Sequence, residues 1–478
     1  MPLTFIPIAA LAPERYKTVL DAEQSAELDR TVARAKTLLG GRVVWNVNST
    51  AHGGGVAEML QSLISYARGA GVDSRWVVIA GDLEFFCITK RIHNNLHGSE
   101  GDGGELGDTE RRAYERVSDQ NAGDLREVVR PGDVALLHDP QTAGLCAPLR
   151  EAGVRVIWRC HVGLDEPSDI SRRAWEFLLP YVKPAEAVIF SRAAYAWEGL
   201  DTPTLVIPPS VDAFSPKNQM LDGPTVGAIL SAVGFGVGHP HVPPVFLRQD
   251  GTPGRVDRHA GALNHALPLA GARLVTQVSR WDRLKDPTGV LEAFADHIAP
   301  QTDAQLLLAG PDVSAVADDP EGRVVLEEVG ERREALPRAI RERVHLAVLP
   351  MEDAGENGAI VNAIQRRSDV IVQKSLVEGF GLTVLEGMWK GRPVVGSRIG
   401  GIQDQIVDDE SGLLVDGANL EEFGRAVVRL LNDPALATRL GAGAQRRVLG
   451  SFLGPRHLTQ YVDLFEQLLS VDPRGAGA

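Results

Sequence analysis

Cysteine is scarce in this chain of 478 residues: only Cys87, Cys146 and Cys160 carry a thiol, at spacings that suit neither a disulfide framework nor a zinc site. A reducing, cytoplasmic setting is therefore expected. Positive charge is in deficit, with 49 Lys and Arg against 63 Asp and Glu and a formal charge of −14. Without a basic footprint neither a nucleic-acid partner nor a membrane surface is expected, although local basic clamps remain allowed. Nowhere is there a run of about 18 apolar residues, the least that suggests a membrane span. Met1–Ile8 has no basic stretch ahead of its short apolar segment, so the sequence predicts a protein neither exported nor membrane-spanning.

What is present is an ordinary globular composition, 44% apolar, in a chain longer than the roughly 250–300 residues at which a single core stops growing. Two domains follow. After a polar helical lead over 21–39, short apolar runs at 42–48, 75–80, 133–137, 154–159, 187–190 and 204–207 alternate with helical patterns, one of them over 56–67. A second series begins at 273–279 and continues at 305–309, 344–349, 369–373, 393–396 and 412–415. Strands alternating with helices predict α/β architecture, two doubly wound parallel-sheet halves facing a cleft. The expected domains are 1–214, a linker and irregular insertion over 215–270, a second domain over 271–455, and 456–478, whose helix over 457–469 packs back on the first domain. The Gly- and Ala-rich tail 471–478 is expected to be disordered.

Five segments at the ends of predicted strands carry candidate chemistry. In Val377-Glu378-Gly379-Phe380-Gly381-Leu382-Thr383-Val384-Leu385-Glu386 two carboxylates bracket a glycine turn and the start of a helix. The glycines let backbone approach a ligand, and the N–H groups of the helix N-terminus suit a diphosphate. Glu378 and Glu386 can accept hydrogen bonds from sugar hydroxyls. Arg280 and Lys285 in Ser279-Arg280-Trp281-Asp282-Arg283-Leu284-Lys285 are placed to hold a diphosphate leaving group, and a solvated pair is the plainer alternative. Gly53-Gly54-Gly55 opens a helix without the Lys-Ser/Thr ending of a Walker loop, and Glu58 occupies the third-glycine position of a dinucleotide fingerprint; a simple tight turn explains it equally well. His161 ends Trp158-Arg159-Cys160-His161, while Asp139 and Gln141 follow a strand in His138-Asp139-Pro140-Gln141. His161 can donate to a sugar hydroxyl or shield an oxocarbenium ion, and Asp139 and Gln141 can bind an acceptor hydroxyl. A structural histidine and a loop turn are the respective alternatives. Cys160 and His138 lack further ligands at suitable spacing for a metal. Asp139 and Glu378 as a glycosidase pair would leave Arg280 and Lys285 without a purpose. No Asp-x-Asp occurs, so charge neutralisation by Arg, Lys and helix dipoles is expected rather than a protein-bound metal.

From Val43 to about Leu469 these motifs resemble the retaining GT-B glycosyltransferases of family 4. A narrower likeness, to the trehalose synthase (glycosyltransferring) group and the retaining trehalose phosphorylases, rests on Trp45–Leu60, His138–Gln141, Trp158–His161, Ile207–Asp212, Gln277–Asp282 and Ile360–Arg366. The resemblance implies transfer of glucose from ADP- or UDP-glucose to free glucose, giving α,α-trehalose reversibly and with retention. It implies that Glu378 and His161 face the donor sugar, Glu386 the ribose, and Arg280 and Lys285 the diphosphate, with Gly54, Gly55, Phe380, Gly381, Leu382 and Thr383 lending backbone donors. Asp139 and Gln141 would lie towards the acceptor. No cofactor would be required, with Mg2+ stimulating only through the nucleotide, and closure would pivot about 208–217. The partners are then a nucleotide-sugar donor and glucose, with a homodimer as the candidate assembly. A phosphorylase is the nearest rival; another family 4 acceptor and a non-catalytic sugar-nucleotide sensor are further alternatives, and a 2-epimerase is an analogy of fold alone.

Overall fold

Val134–His138 reads Val-Ala-Leu-Leu-His with every residue buried, as expected of a strand covered on both faces. Strands of this kind organise the structure, a computed structural model that describes residues 3–51, 54–235, 241–262, 271–313 and 320–470. His52, Gly53 and the tail 471–478 lie outside the described residues. The chain divides into two compact units, Met1–Ser210 with Gly454–Ala478, and Val211–Leu453.

The first unit is built on strands β1 (Thr4–Ile6), β2 (Val43–Asn48), β3 (Asp73–Val78), β4 (Val134–His138), β5 (Arg155–Cys160), β6 (Ala187–Phe190) and β7 (Thr204–Val206), in the order β1-β3-β2-β4-β5-β6-β7. All neighbours are parallel except the edge strand β1, which runs antiparallel to β3. The order reverses at β2, whose neighbours are β3 and β4, so a crevice opens at the carboxyl ends of β2 and β4. His138 of β4 pairs in register with Arg159 of β5, which brings the loops after both strands together.

Helix Ala22–Leu38 starts at a capping box made by Asp21 and Gln24, as its polar, periodic sequence predicts. Helix Gly454–Ser470 belongs to the same unit: Tyr461, Val462, Leu464 and Phe465 share a core with Ala35, Leu39, Val44 and Leu136. Arg34 adds surface pairs to Asp463 at 2.7 Å and Glu466 at 2.5 Å.

The second unit contains the hairpin β8 (Val245–Leu247) and β9 (Pro253–Arg255), and then β10 (Gly261–Ala262), β11 (Leu274–Val278), β12 (Gln305–Pro311), β13 (Val344–Leu349), β14 (Val370–Gln373), β15 (Val394–Ser397) and β16 (Leu413–Val415). Its larger sheet runs β10-β13-β12-β11-β14-β15-β16, with only β10 antiparallel, and its order reverses at β11 between β12 and β14.

The stretch 215–270, expected as a linker with an irregular insertion, departs from that reading: its described part builds into the second unit. Val226, Ile229 and Leu230 of helix Gly223–Ala232 pack on Ala359, Ile360 and Ala363 of helix Ala354–Arg367. Glu356, only 2% exposed, accepts from the backbone N–H groups of Asp257 and Arg258, both at 2.7 Å. Scattered Gly and Pro hide this order because the apolar contacts are made to residues well over a hundred positions away.

Candidate active site

In the second unit, the loops after β11 and β14 meet at the carboxyl ends of the two strands that flank the switch point. Lys285 Nζ donates to Glu378 Oε2 at 2.6 Å, and Ser375 Oγ donates to the same oxygen at 3.0 Å. Both members of the ion pair are largely buried, with side chains 17% and 8% exposed, so solvent screens them weakly. Gln277 Nε2 donates to the Lys285 carbonyl at 2.9 Å and fixes the loop. A second cation, Lys374, is buried against Asp286.

Gly381 has φ +86°, and a Cβ there would stand 3.1 Å from Ile402 Cγ1 and 3.3 Å from Glu378 Cγ. Only glycine makes this turn without strain or crowding. Gly381 then starts helix Leu382–Trp389 and, having no side chain, supplies no cap to its first-turn N–H groups. Thr383 Oγ1 is turned away to Gln373 Oε1 at 3.0 Å, while Gln405 Nε2 holds the Phe380 carbonyl.

Glu386 is 3% exposed. Its carboxylate accepts from Gln365 Nε2 at 3.3 Å and stands 3.6 Å from Lys217 Nζ. Nearby Lys390 is buried; burial drives its ammonium pKa well below the lysine range, against the attraction of Glu386. Arg280, in contrast, is more than half exposed and bonds Asp282 at 2.9 Å. The structure thus unites Lys285 with Glu378, while Arg280 bonds Asp282 and Glu386 bonds Gln365 beside Lys217.

In the first unit, Asp139 Oδ1 accepts the backbone N–H of His161 at 2.8 Å, and Trp158 Nε1 donates to the Asp139 carbonyl at 3.1 Å. Asp139 holds φ 65° and ψ 176°, a region otherwise occupied almost only by glycine and costing about 1–3 kcal/mol. The carbonyl of Arg159 and the following Pro140 help hold it there. Burial pushes the Asp139 carboxyl up to about 7, opposed by the His161 N–H and the Arg159 charge. Gln141 follows in the same short helix, and its buried Oε1 has no hydrogen-bond partner among the described residues. Gly54, with φ +81°, opens helix Gly54–Gly69, and Gly55 follows in its first turn.

His161 and His138 are stacked, ring centroids 5.5 Å apart and planes 16° from parallel, with His138 Nδ1 3.2 Å from His161 Nε2. Burial, then Arg159, lowers His138 to about 3, and burial, Arg159 and His138 in turn hold His161 well below the histidine range. Both rings are therefore neutral at pH 7. Behind them Arg159 is completely buried and reaches His457 Nε2 at 2.7 Å, the Tyr461 hydroxyl and the Ile207 carbonyl at 2.9 Å. His457 Nδ1 in turn lies 2.9 Å from Ser210 Oγ.

Arg159, His457, Lys217 and Ser375 carry no role that the sequence by itself assigns, and His138 enters there only within His138–Gln141 and as a rejected metal ligand. A charged residue inside an apolar strand, Arg159, was the one available signal. Among the described residues, no group of three or more His, Cys, Asp and Glu is arranged to hold a metal ion. No described helix is long and apolar enough to cross a membrane.

One prediction follows from Asp139. A carboxyl raised above its unfolded value adds stability that is complete below about pH 4 and is lost as pH rises through about 7. Asp139→Asn keeps an acceptor for His161 N–H without the titration. Relative to wild type the variant is expected to gain in melting temperature between pH 5 and pH 8. A difference that is flat with pH, measured by thermal unfolding, would reject the raised carboxyl.

Comparison with known proteins gives the geometry a family. Residues 46–197 match the model described as "Trehalose synthase, N-terminal domain", and residues 266–447 match "Glycosyl transferases group 1". A trehalose synthase of Pyrococcus horikoshii is 35% identical over 95% of this chain and 96% of its own length. The chain belongs to the trehalose synthase family. A second trehalose synthase, from Rubrobacter xylanophilus, is 34% identical over 95% of this chain and 97% of its own. Among solved structures, an α,α-trehalose-phosphate synthase (UDP-forming) from Burkholderia vietnamiensis superposes with TM-score 0.67 over 90% of this chain and 100% of that one, at 16% identity. At that identity the likeness is one of fold. Like other trehalose synthase family members, the chain is a glycosyltransferase, and its fold is GT-B.

Proposed function

We propose that the chain transfers glucose from a nucleoside diphosphate glucose to the anomeric hydroxyl of free glucose, forming α,α-trehalose with retention at the donor carbon. The observation that carries this reading is the buried Lys285–Glu378 pair beside an uncapped helix N-terminus at the carboxyl end of the second sheet. An ammonium and a row of N–H donors match the negative charge that builds up on a departing diphosphate. Glu378 accepts from donor-sugar hydroxyls, Glu386 from the ribose, and Arg280 swings from Asp282 to the diphosphate. Gly54 and Gly55 lend backbone donors, His161 faces the donor sugar, and Asp139 and Gln141 receive the acceptor.

In this scheme the C1–O bond to the diphosphate lengthens first, and the acceptor hydroxyl attacks from the same face. Its proton passes to the departing phosphate oxygen, so no protein nucleophile is consumed. Charge stabilisation supplies most of the acceleration, which requires that water be excluded during transfer. No metal cofactor is invoked, and Mg2+ acts only through the nucleotide.

Purified protein incubated with glucose and ADP-, UDP- or GDP-glucose is expected to release trehalose and nucleoside diphosphate in equal amounts, followed by proton NMR. The same mixture run from trehalose and nucleoside diphosphate tests reversibility. Glucose 1-phosphate from trehalose and inorganic phosphate, with no transfer from any nucleotide sugar, would replace the synthase reading by a phosphorylase.

A further inference from the structure

The two stacked histidines share a single hydrogen bond, and its direction decides what His161 offers to a ligand. Both rings are neutral, so each carries one N–H. Two arrangements satisfy the 3.2 Å contact between His138 Nδ1 and His161 Nε2. In the first, His161 Nε2–H donates to His138 Nδ1. The proton of His138 then sits on Nε2, which is buried and has no partner among the described residues. In the second, His138 Nδ1–H donates to His161 Nε2. His138 Nε2 is then a buried acceptor without a partner, and the proton of His161 sits on Nδ1.

The cost of the two arrangements differs at His138. Orphaned buried N–H donors are the rarer defect in folded proteins, and under-satisfied acceptors are tolerated more readily. His138 is 0% exposed, whereas His161 is only partly buried, so the remaining nitrogen of His161 is the one open to a ligand. The main chain of His161 is tied through its N–H to Asp139 Oδ1 at 2.8 Å, and the ring is stacked on His138.

We infer that His138 is a positioning residue that holds His161 as its Nδ1–H tautomer, so that His161 presents a hydrogen-bond donor, not an acceptor, to the substrate. A donor there suits a sugar oxygen that gains no proton during transfer, and it adds no positive charge beside an oxocarbenium-like carbon. The consequence for catalysis rests on the proposed glucosyl transfer; the tautomer itself does not.

The test uses the full chain labelled with 15N-histidine. Imidazole nitrogens distinguish protonated from unprotonated sites directly, and the His161 signals are assigned by their loss in His161→Gln. Wild type is expected to show protonated Nδ1 and unprotonated Nε2 at His161; the reverse pattern overturns the inference without any need for a His138 variant to fold. His138→Phe keeps a ring in the stack and removes the donor. It is expected to give a mixture of His161 tautomers and a kcat lowered by about 10- to 100-fold, with donor KM changed far less. An unchanged His161 spectrum in His138→Phe overturns the positioning role. Wild type that transfers no sugar overturns the proposed function instead, and the spectra still decide the tautomer.

Discussion

Lys285→Ala is expected to lower kcat for glycosyl transfer by about 10²–10³-fold, roughly 2.7–4 kcal/mol of transition-state stabilisation. Lys285 is held by Glu378 at 2.6 Å in a site where both side chains are mostly shielded from water. A charge in such surroundings acts on a departing diphosphate far more strongly than one in bulk solvent. The substitution also removes the ammonium that neutralises Glu378, leaving that carboxylate with Ser375 at 3.0 Å as a remaining partner. Loss in kcat with little change in donor KM would place the contribution in the transition state, and a rise in KM alone would place it in ground-state binding. Lys285→Arg is expected to recover only part of the rate, because a planar guanidinium cannot reproduce a point charge in the same space. Thermal unfolding of each variant separates a damaged site from a damaged fold. Wild-type turnover in a folded Lys285→Ala protein would remove Lys285 from the mechanism.

Arg159→Ala is expected to destabilise the first unit by about 3–5 kcal/mol. Arg159 is buried inside the sheet and donates to three groups, His457, Tyr461 and the Ile207 carbonyl. Truncation leaves those acceptors unsatisfied, at about 1–3 kcal/mol for a buried group, and opens a cavity between β5 and helix Gly454–Ser470. Part of that loss is offset, because Arg159 Nε has no partner among the described residues and a buried guanidinium is costly to desolvate. Arg159→Met, which fills the space without the donors, should therefore be less damaging than Ala. Denaturant unfolding checks both, and a coupling energy between Arg159→Ala and His457→Ala would show that the two side chains act together. A midpoint for Arg159→Ala equal to wild type would mean that the network contributes nothing.

The parallel strands were legible because each is a short aliphatic run covered on both faces. Ala187–Phe190 and Val344–Leu349 match their expected bounds, and most others differ by one or two residues. The edge elements were not legible: β1, β10 and the β8–β9 hairpin have two or three residues each, too few to carry a periodic pattern. The helix Gly223–Ala232 escaped for a related reason, since Gly and Pro begin it and its burial depends on a partner helix far along the chain.

At the site, the sequence alone determined which residue types stand after which strands. Glycine turns, carboxylates and cations are local features, and parallel topology delivers the carboxyl ends of neighbouring strands to one side of a sheet. Only the tertiary structure decided which of them meet. Lys285 and Glu378 are separated by 93 positions, His138 and His161 by 23, and Arg159 and His457 by 298. No local pattern encodes such pairings, because they depend on strand order and on the return of the last helix to the first unit. The same is true of charge: burial, set by the whole fold, raises the carboxyl of Asp139 and keeps His138 and His161 neutral.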